Sequence, residues 1–190
     1  MLNCSCGLGK TYTFIEIIRN HSNAKIIIAP KNICGQWEQE LIDEKIDKKS
    51  IWVFDQPTMS KKPEVYKQRF TKWAMEGGEY LIVPTQTFGL NVKQHKKKGV
   101  GLLPFVVQIF LGIHKKNIFC VLDESSWIKS NTAAKKQLSA RSIMIQLLGS
   151  LVNNRAAGTG TMMSKSPMNM YDQFHFLKPN FFPETRAEFY

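Results

Sequence analysis

Short β-branched runs alternate with amphipathic stretches along almost the whole of this 190-residue chain. Residues 24–30, Ala-Lys-Ile-Ile-Ile-Ala-Pro, form one such run, ended by proline. Ile51-Trp52-Val53-Phe54, Tyr80-Leu81-Ile82-Val83 and Ile118–Leu122 are three more. Runs without polar alternation suit strands buried on both faces, as in a parallel sheet. The stretches between them carry apolar residues at helical spacing. Phe14, Ile17 and Ile18 mark a helix over 11–20, and Ile33, Trp37, Leu41 and Ile42 mark one from Asn32. Val65, Phe70, Trp73 and Ala74 mark a third over 63–76, stopped by Gly77-Gly78. Residues 102–112 have the length of a buried helix, although their β-branched content leaves a strand open. Further helices are predicted over 132–151 and 167–177, with a short strand leading into Gly158–Thr161. Such alternation predicts an α/β domain, a mostly parallel sheet with helices on both faces.

Ligands of such sheets gather at the carboxyl ends of the strands. Lys10, Pro30, Thr85, Asp123 and Thr159 each follow a predicted strand. The first of these lies in a glycine-rich stretch, Cys-Ser-Cys-Gly-Leu-Gly-Lys-Thr over residues 4–11. Gly7 and Gly9 can turn the backbone so that its N–H groups, that of Leu8 between them included, point at phosphate oxygens. Lys10 would place a point charge on the β- and γ-phosphates, and Thr11 would offer a hydroxyl to Mg²⁺. The helix that follows presents its positive dipole end to the same anion. Cys4 stands where the strict phosphate-loop pattern has glycine, and an ordinary turn before a helix is the alternative.

A second constellation closes the strand Ile118–Leu122, where Asp123 and Glu124 follow a wholly apolar run. An aspartate there suits a hard cation such as Mg²⁺. A glutamate beside it can deprotonate an attacking water. Surface acids at a loop start are the alternative for this pair taken alone.

The formal net charge of +11 favours acidic partners, nucleic acid first. Part of it lies at Lys93, His95, Lys96, Lys97 and Lys98, which otherwise reads as a solvated loop. No run approaches the 18 apolar residues of a membrane span, and the first residues lack a signal-peptide pattern. Four cysteines without a second metal-ligand pair at suitable spacing suit a reduced, cytoplasmic chain.

Taken in order, these motifs resemble the first RecA-like motor domain of superfamily 2 helicases. Within them the chain looks most like the Swi/Snf-related translocases, DEAD/DEAH-like and phage-like. Motif I is Cys6-Gly7-Leu8-Gly9-Lys10-Thr11, and motif Ia is Ile28-Ala29-Pro30-Lys31, followed by Gln36-Trp37 and Glu40-Leu41. Thr85-Gln86-Thr87-Phe88 sits at the next strand end. Motif II is Asp123-Glu124-Ser125-Ser126 and motif III is Thr159-Gly160-Thr161, with Tyr171, Phe174 and Phe176-Leu177 downstream. Ser126 replaces the family's histidine, and Met162 its proline.

The resemblance implies a RecA-like P-loop NTPase fold that binds ATP and Mg²⁺. Lys10 and Thr11 would contact the phosphates and Mg²⁺, Asp123 would coordinate the metal, and Glu124 would be the catalytic base. Ser126, Thr159, Gly160 and Thr161 would couple nucleotide state to nucleic acid. Pro30, Lys31 and Thr85 would lie along the nucleic-acid backbone, with DNA ahead of RNA. Trp37 could be taken for a base-stacking residue, but its spacing with Ile33 and Leu41 favours the core. The expected organisation is one ATP-binding lobe over 1–190, truncated at its N-terminus and completed by a second RecA-like lobe in the full-length protein or a partner chain. The expected function is ATP hydrolysis coupled to movement on nucleic acid. A non-catalytic nucleic-acid-binding or regulatory module of the same fold is the rival from another class. A small P-loop kinase is weaker, because the arginines are scattered rather than clustered in a lid.

Overall fold

The computed structural model describes residues 1–3, 9–21, 24–55, 62–88, 102–115, 117–128, 139–161, 168–179 and 181–182. Among these, six strands form one sheet: β1 (Leu2–Asn3), β2 (Ala24–Ala29), β3 (Ile51–Val53), β4 (Tyr80–Pro84), β5 (Ile118–Leu122) and β6 (Asn154–Thr159). Their order is β1-β6-β5-β2-β4-β3, and every pairing is parallel. Five longer helices lie between successive strands, α1 (Lys10–Arg19), α2 (Cys34–Asp43), α3 (Pro63–Met75), α4 (Leu102–Ile113) and α5 (Ala140–Ser150), and α6 (Met168–Leu177) follows β6. The predicted α/β architecture is therefore present. The segment 102–112, left open between helix and strand, is helical.

Both faces of the sheet are covered, which explains the unbroken apolar strands. On β2, Ile27 and Ala29 pack with Phe14, Ile15 and Ile18 of α1 and Trp37 and Leu41 of α2. The alternate residues Ile26 and Ile28 pack with Tyr66 and Phe70 of α3, Phe110 of α4, Ile145 of α5 and Phe176 of α6. β5 divides in the same way, with Phe119 and Val121 on the first face and Ile118, Cys120 and Leu122 on the second. An aromatic group fills the second layer, where Trp73 stacks on Phe110 at 5.9 Å between ring centroids.

Several boundaries differ from the sequence expectation. The helix expected from Asn32 begins as a 3-10 turn over Lys31–Ile33, and α2 proper starts at Cys34. Pro30 is the cause: it has no N–H with which to continue the ladder, and its carbonyl accepts the Ile33 N–H at 3.0 Å in a tight turn. The helix expected over 132–151 is described from Ala140, where the Ser139 hydroxyl caps it by accepting the Ser142 N–H. Residues 131–138 and the basic residues 93–98 lie outside the described set. No helix among the described residues is long and apolar enough to cross a membrane.

Candidate functional site

Because all six strands run the same way, the loops after them share one edge of the sheet. Gly9 opens α1 from the left-handed region, at φ 74°, where a residue without Cβ sits at least cost. No side chain caps this helix, and its first turn holds no acidic residue. The positive end of its dipole therefore meets no acidic residue of its own first turn. Lys10 is the first residue of the helix. The helix is held against the sheet by Phe14, which packs so tightly on β6 that a Cβ on Gly158 would stand 2.6 Å from its ring. Gly158 is thus what lets α1 approach β6 and bring Lys10 to the edge.

Across the edge, β5 delivers Asp123 and Glu124. The Lys10 Nζ lies 3.9 Å from Glu124 Oε1. Glu124 itself adopts φ 50°, a left-handed conformation that costs a non-glycine residue about 1–2 kcal/mol. Two hydrogen bonds hold it there. Its N–H donates to Asp123 Oδ1 at 2.8 Å, and its carbonyl accepts the Trp127 N–H at 2.9 Å. The strain lies at the residue whose carboxylate meets Lys10, a placement typical of functional sites.

Asp123 is 5 % exposed, and its carboxylate is fixed on both sides. Trp37 Nε1 donates to Oδ2 at 2.9 Å, while the Glu124 N–H occupies Oδ1. Its own N–H donates to the Ile28 carbonyl, extending the β5–β2 ladder by one residue. Nearby, Cys34 is buried, with its thiol directed at the carbonyls of Ala29 and Pro30. Burial and the Asp123 charge together push the Cys34 thiol up to about 12.

The remaining candidates are distributed around this centre. Thr11 is half-buried in the first turn of α1, and Gly7 and Leu8 lie outside the described residues. Lys31 is exposed, whereas Pro30 and Thr85 are buried. The Lys31 N–H donates to Gln86 Oε1 at 3.0 Å, joining the segments after β2 and β4. Thr159 is fully buried at the end of β6, and its hydroxyl both accepts the Thr161 N–H and donates to the Thr161 carbonyl, closing a turn around Gly160. Ser126 is half-buried.

Three features escaped the sequence. Ser125, not Ser126, makes the long-range bond of this segment: its hydroxyl donates to Gln173 Oε1 on α6 at 2.6 Å, both residues being fully buried. Gln173 sits among aromatic and apolar neighbours at helical spacing, and no motif marks it. Trp37 is a core residue as its spacing indicated, 1 % exposed and against Phe14, but its indole N–H also reaches Asp123. Only the fold brings that pair together.

The sequence matches no protein-family model and no curated protein. Among solved structures, the helicase domain of Hef from Pyrococcus furiosus superposes on this chain with a TM-score of 0.59 at 14 % identity, over 93 % of this chain and 32 % of that one. The chain therefore has the α/β fold of a helicase RecA-like lobe, and it spans about a third of the solved helicase chain it matches.

Proposed function

We propose that this chain is the ATP-binding lobe of an ATP-dependent DNA helicase or translocase of the Swi/Snf-related type. The observation that carries the reading is the convergence of Lys10 and Glu124, 3.9 Å apart, on the edge where Asp123 ends β5. A basic residue at an uncapped helix N-terminus can take a phosphate, and a carboxylate beside it can take a proton from water. Their meeting suits phosphoryl transfer better than either feature alone.

In this reading Lys10 and the backbone from Gly7 to Gly9 bind the β- and γ-phosphates. Thr11 and Asp123 hold Mg²⁺, for which the donor set fits: a hydroxyl and a buried carboxylate are both hard oxygen ligands. Each Asp123 oxygen accepts one N–H and keeps lone-pair capacity for a cation. Bound Mg²⁺ neutralises charge developing on the phosphate oxygens. Glu124 accepts the proton of the water that attacks the γ-phosphorus, and the bond to the β-phosphate oxygen breaks.

Lys31 and the segments at Pro30 and Thr85 would meet the nucleic-acid backbone, where contacts are largely independent of sequence. Thr159, Gly160, Thr161 and Ser126 would relay the nucleotide state to it. A second RecA-like lobe would close over the edge and complete catalysis.

The test is ATP binding and hydrolysis by the purified chain, with and without DNA, beside Lys10→Ala and Glu124→Gln. Nucleotide binding lost with Lys10→Ala and retained with Glu124→Gln supports the lobe. Equal DNA binding by all three proteins with no nucleotide binding by any would favour the non-catalytic module.

A further inference from the structure

We propose that Trp37 is a positioning residue for Asp123 and that it links the cation site to the loop after β2. The inference rests on the reading of Asp123 as a ligand of a divalent cation. Trp37 Nε1 donates to Asp123 Oδ2 at 2.9 Å across 86 residues of sequence. The Glu124 N–H holds the opposite oxygen at 2.8 Å. A carboxylate pinned at both oxygens cannot rotate, so its free lone pairs keep one direction. Groups that fix a ligand in this way commonly govern metal affinity as strongly as packing does.

The element that supplies the indole also matters. Trp37 lies in the first turns of α2, directly after the 3-10 turn Lys31–Ile33. That turn is tied at two further points. The Lys31 N–H donates to Gln86 Oε1 at 3.0 Å, and the Cys34 thiol reaches the Pro30 carbonyl at 3.4 Å. A displacement of the exposed Lys31 loop is therefore transmitted to α2, and from α2 to the carboxylate of Asp123. The indole's hydrogen bond to Asp123 Oδ2 is the direct route between the two.

The structural alternative is that Trp37 only fills space. Trp37→Phe separates the two, because it keeps a ring against Phe14 and removes the N–H. The experiment uses the 190-residue chain with its tryptophan indoles labelled with ¹⁵N and Mn²⁺ with ADP as the probe. Free Mn²⁺ is followed by electron paramagnetic resonance. The Trp37 indole signal is assigned by its loss in Trp37→Phe, or by substituting Trp52, Trp73 and Trp127 should that variant not fold. The expected result is selective broadening of the Trp37 signal by Mn²⁺–ADP, absent in Asp123→Asn. Trp37→Phe should weaken Mn²⁺ binding about 10–100-fold at nearly unchanged melting temperature. If Mn²⁺–ADP binds in an Asp123-dependent way and a folded Trp37→Phe binds it as tightly as the parent chain, or the Trp37 signal stays sharp, the positioning role is overturned and the nucleotide reading stands. If Mn²⁺–ADP does not bind, or binds equally to Asp123→Asn, both fall.

Discussion

The Lys10 ammonium lies 3.9 Å from the Glu124 carboxylate, a pair joined only by the closing of α1 onto β6 and of β5 onto the same edge. Neither side chain is freely exposed, at 10 % and 28 % respectively. The two should nonetheless separate on substitution. Lys10→Ala removes a charged contact to phosphate and should weaken ATP binding by about 1.5–3 kcal/mol, roughly 10–150-fold. Glu124→Gln should leave affinity within a few-fold and lower any turnover about 10²–10⁴-fold. Titration with a fluorescent nucleotide and phosphate-release kinetics check the two halves.

Gly158→Ala should destabilise the fold by about 1–3 kcal/mol, because the added Cβ would stand 2.6 Å from the Phe14 ring. Urea unfolding measures the loss. The same change pushes α1 away from β6, so nucleotide affinity should fall even at temperatures where the variant is folded. Unchanged stability would mean that α1 can shift outward at no cost.

Ser125 and Gln173 should behave as a coupled pair. Ser125→Ala and Gln173→Leu each leave a buried polar group short of a partner, at about 1–3 kcal/mol. The double variant should cost less than the sum, with a coupling energy of about 0.5–3 kcal/mol. A double-mutant cycle by denaturant unfolding reads it directly. Strict additivity would remove α6 from any role in holding the loop after β5.

Stability should fall on the alkaline side. The Cys34 and Cys120 thiols are raised from 9.0 to about 12, chiefly by burial. Between those values the unfolded chain has lost protons that the folded chain retains. The contribution is thus full below pH 9.0 and is lost as pH rises towards about 12, at about 1.4 kcal/mol per pH unit for each thiol. Cys120→Ala should reduce the slope by one thiol. Urea unfolding at a series of pH values from 8 to 11 checks it, and an unchanged slope would contradict the burial argument.

The longer strands were legible as short apolar runs and the helices by their apolar spacing, and the edge was legible because β2, β4, β5 and β6 each run into a proline, a threonine or an acid. Lys10, Asp123 and Glu124 could be picked out from local pattern alone. The contacts that orient them could not. Trp37 has the spacing of a core residue, and nothing in its neighbourhood announces an N–H bound 86 residues away. Ser125 and Ser126 are chemically identical in the sequence, and only the 3-10 turn Ser125–Ile128 decides which one faces α6. β1 is two residues long, too short to carry any periodicity, so its place beside β6 comes from the fold and not from its own residues.

The strand order has a consequence for how the protein is made. Only β3–β4 and β5–β6 are neighbours both along the chain and in the sheet. A nascent chain that has emerged only as far as β3 therefore holds three strands, none of which has its partner. The edge bearing Lys10 closes later still, when Leu2 pairs with Gly158. Long-range closures of this kind are slow, and unpaired strands are exposed to wrong partners meanwhile. The pair Lys10 and Glu124 thus belongs to a sheet most of whose pairings, β1–β6 and β2–β5 among them, join segments far apart in the chain.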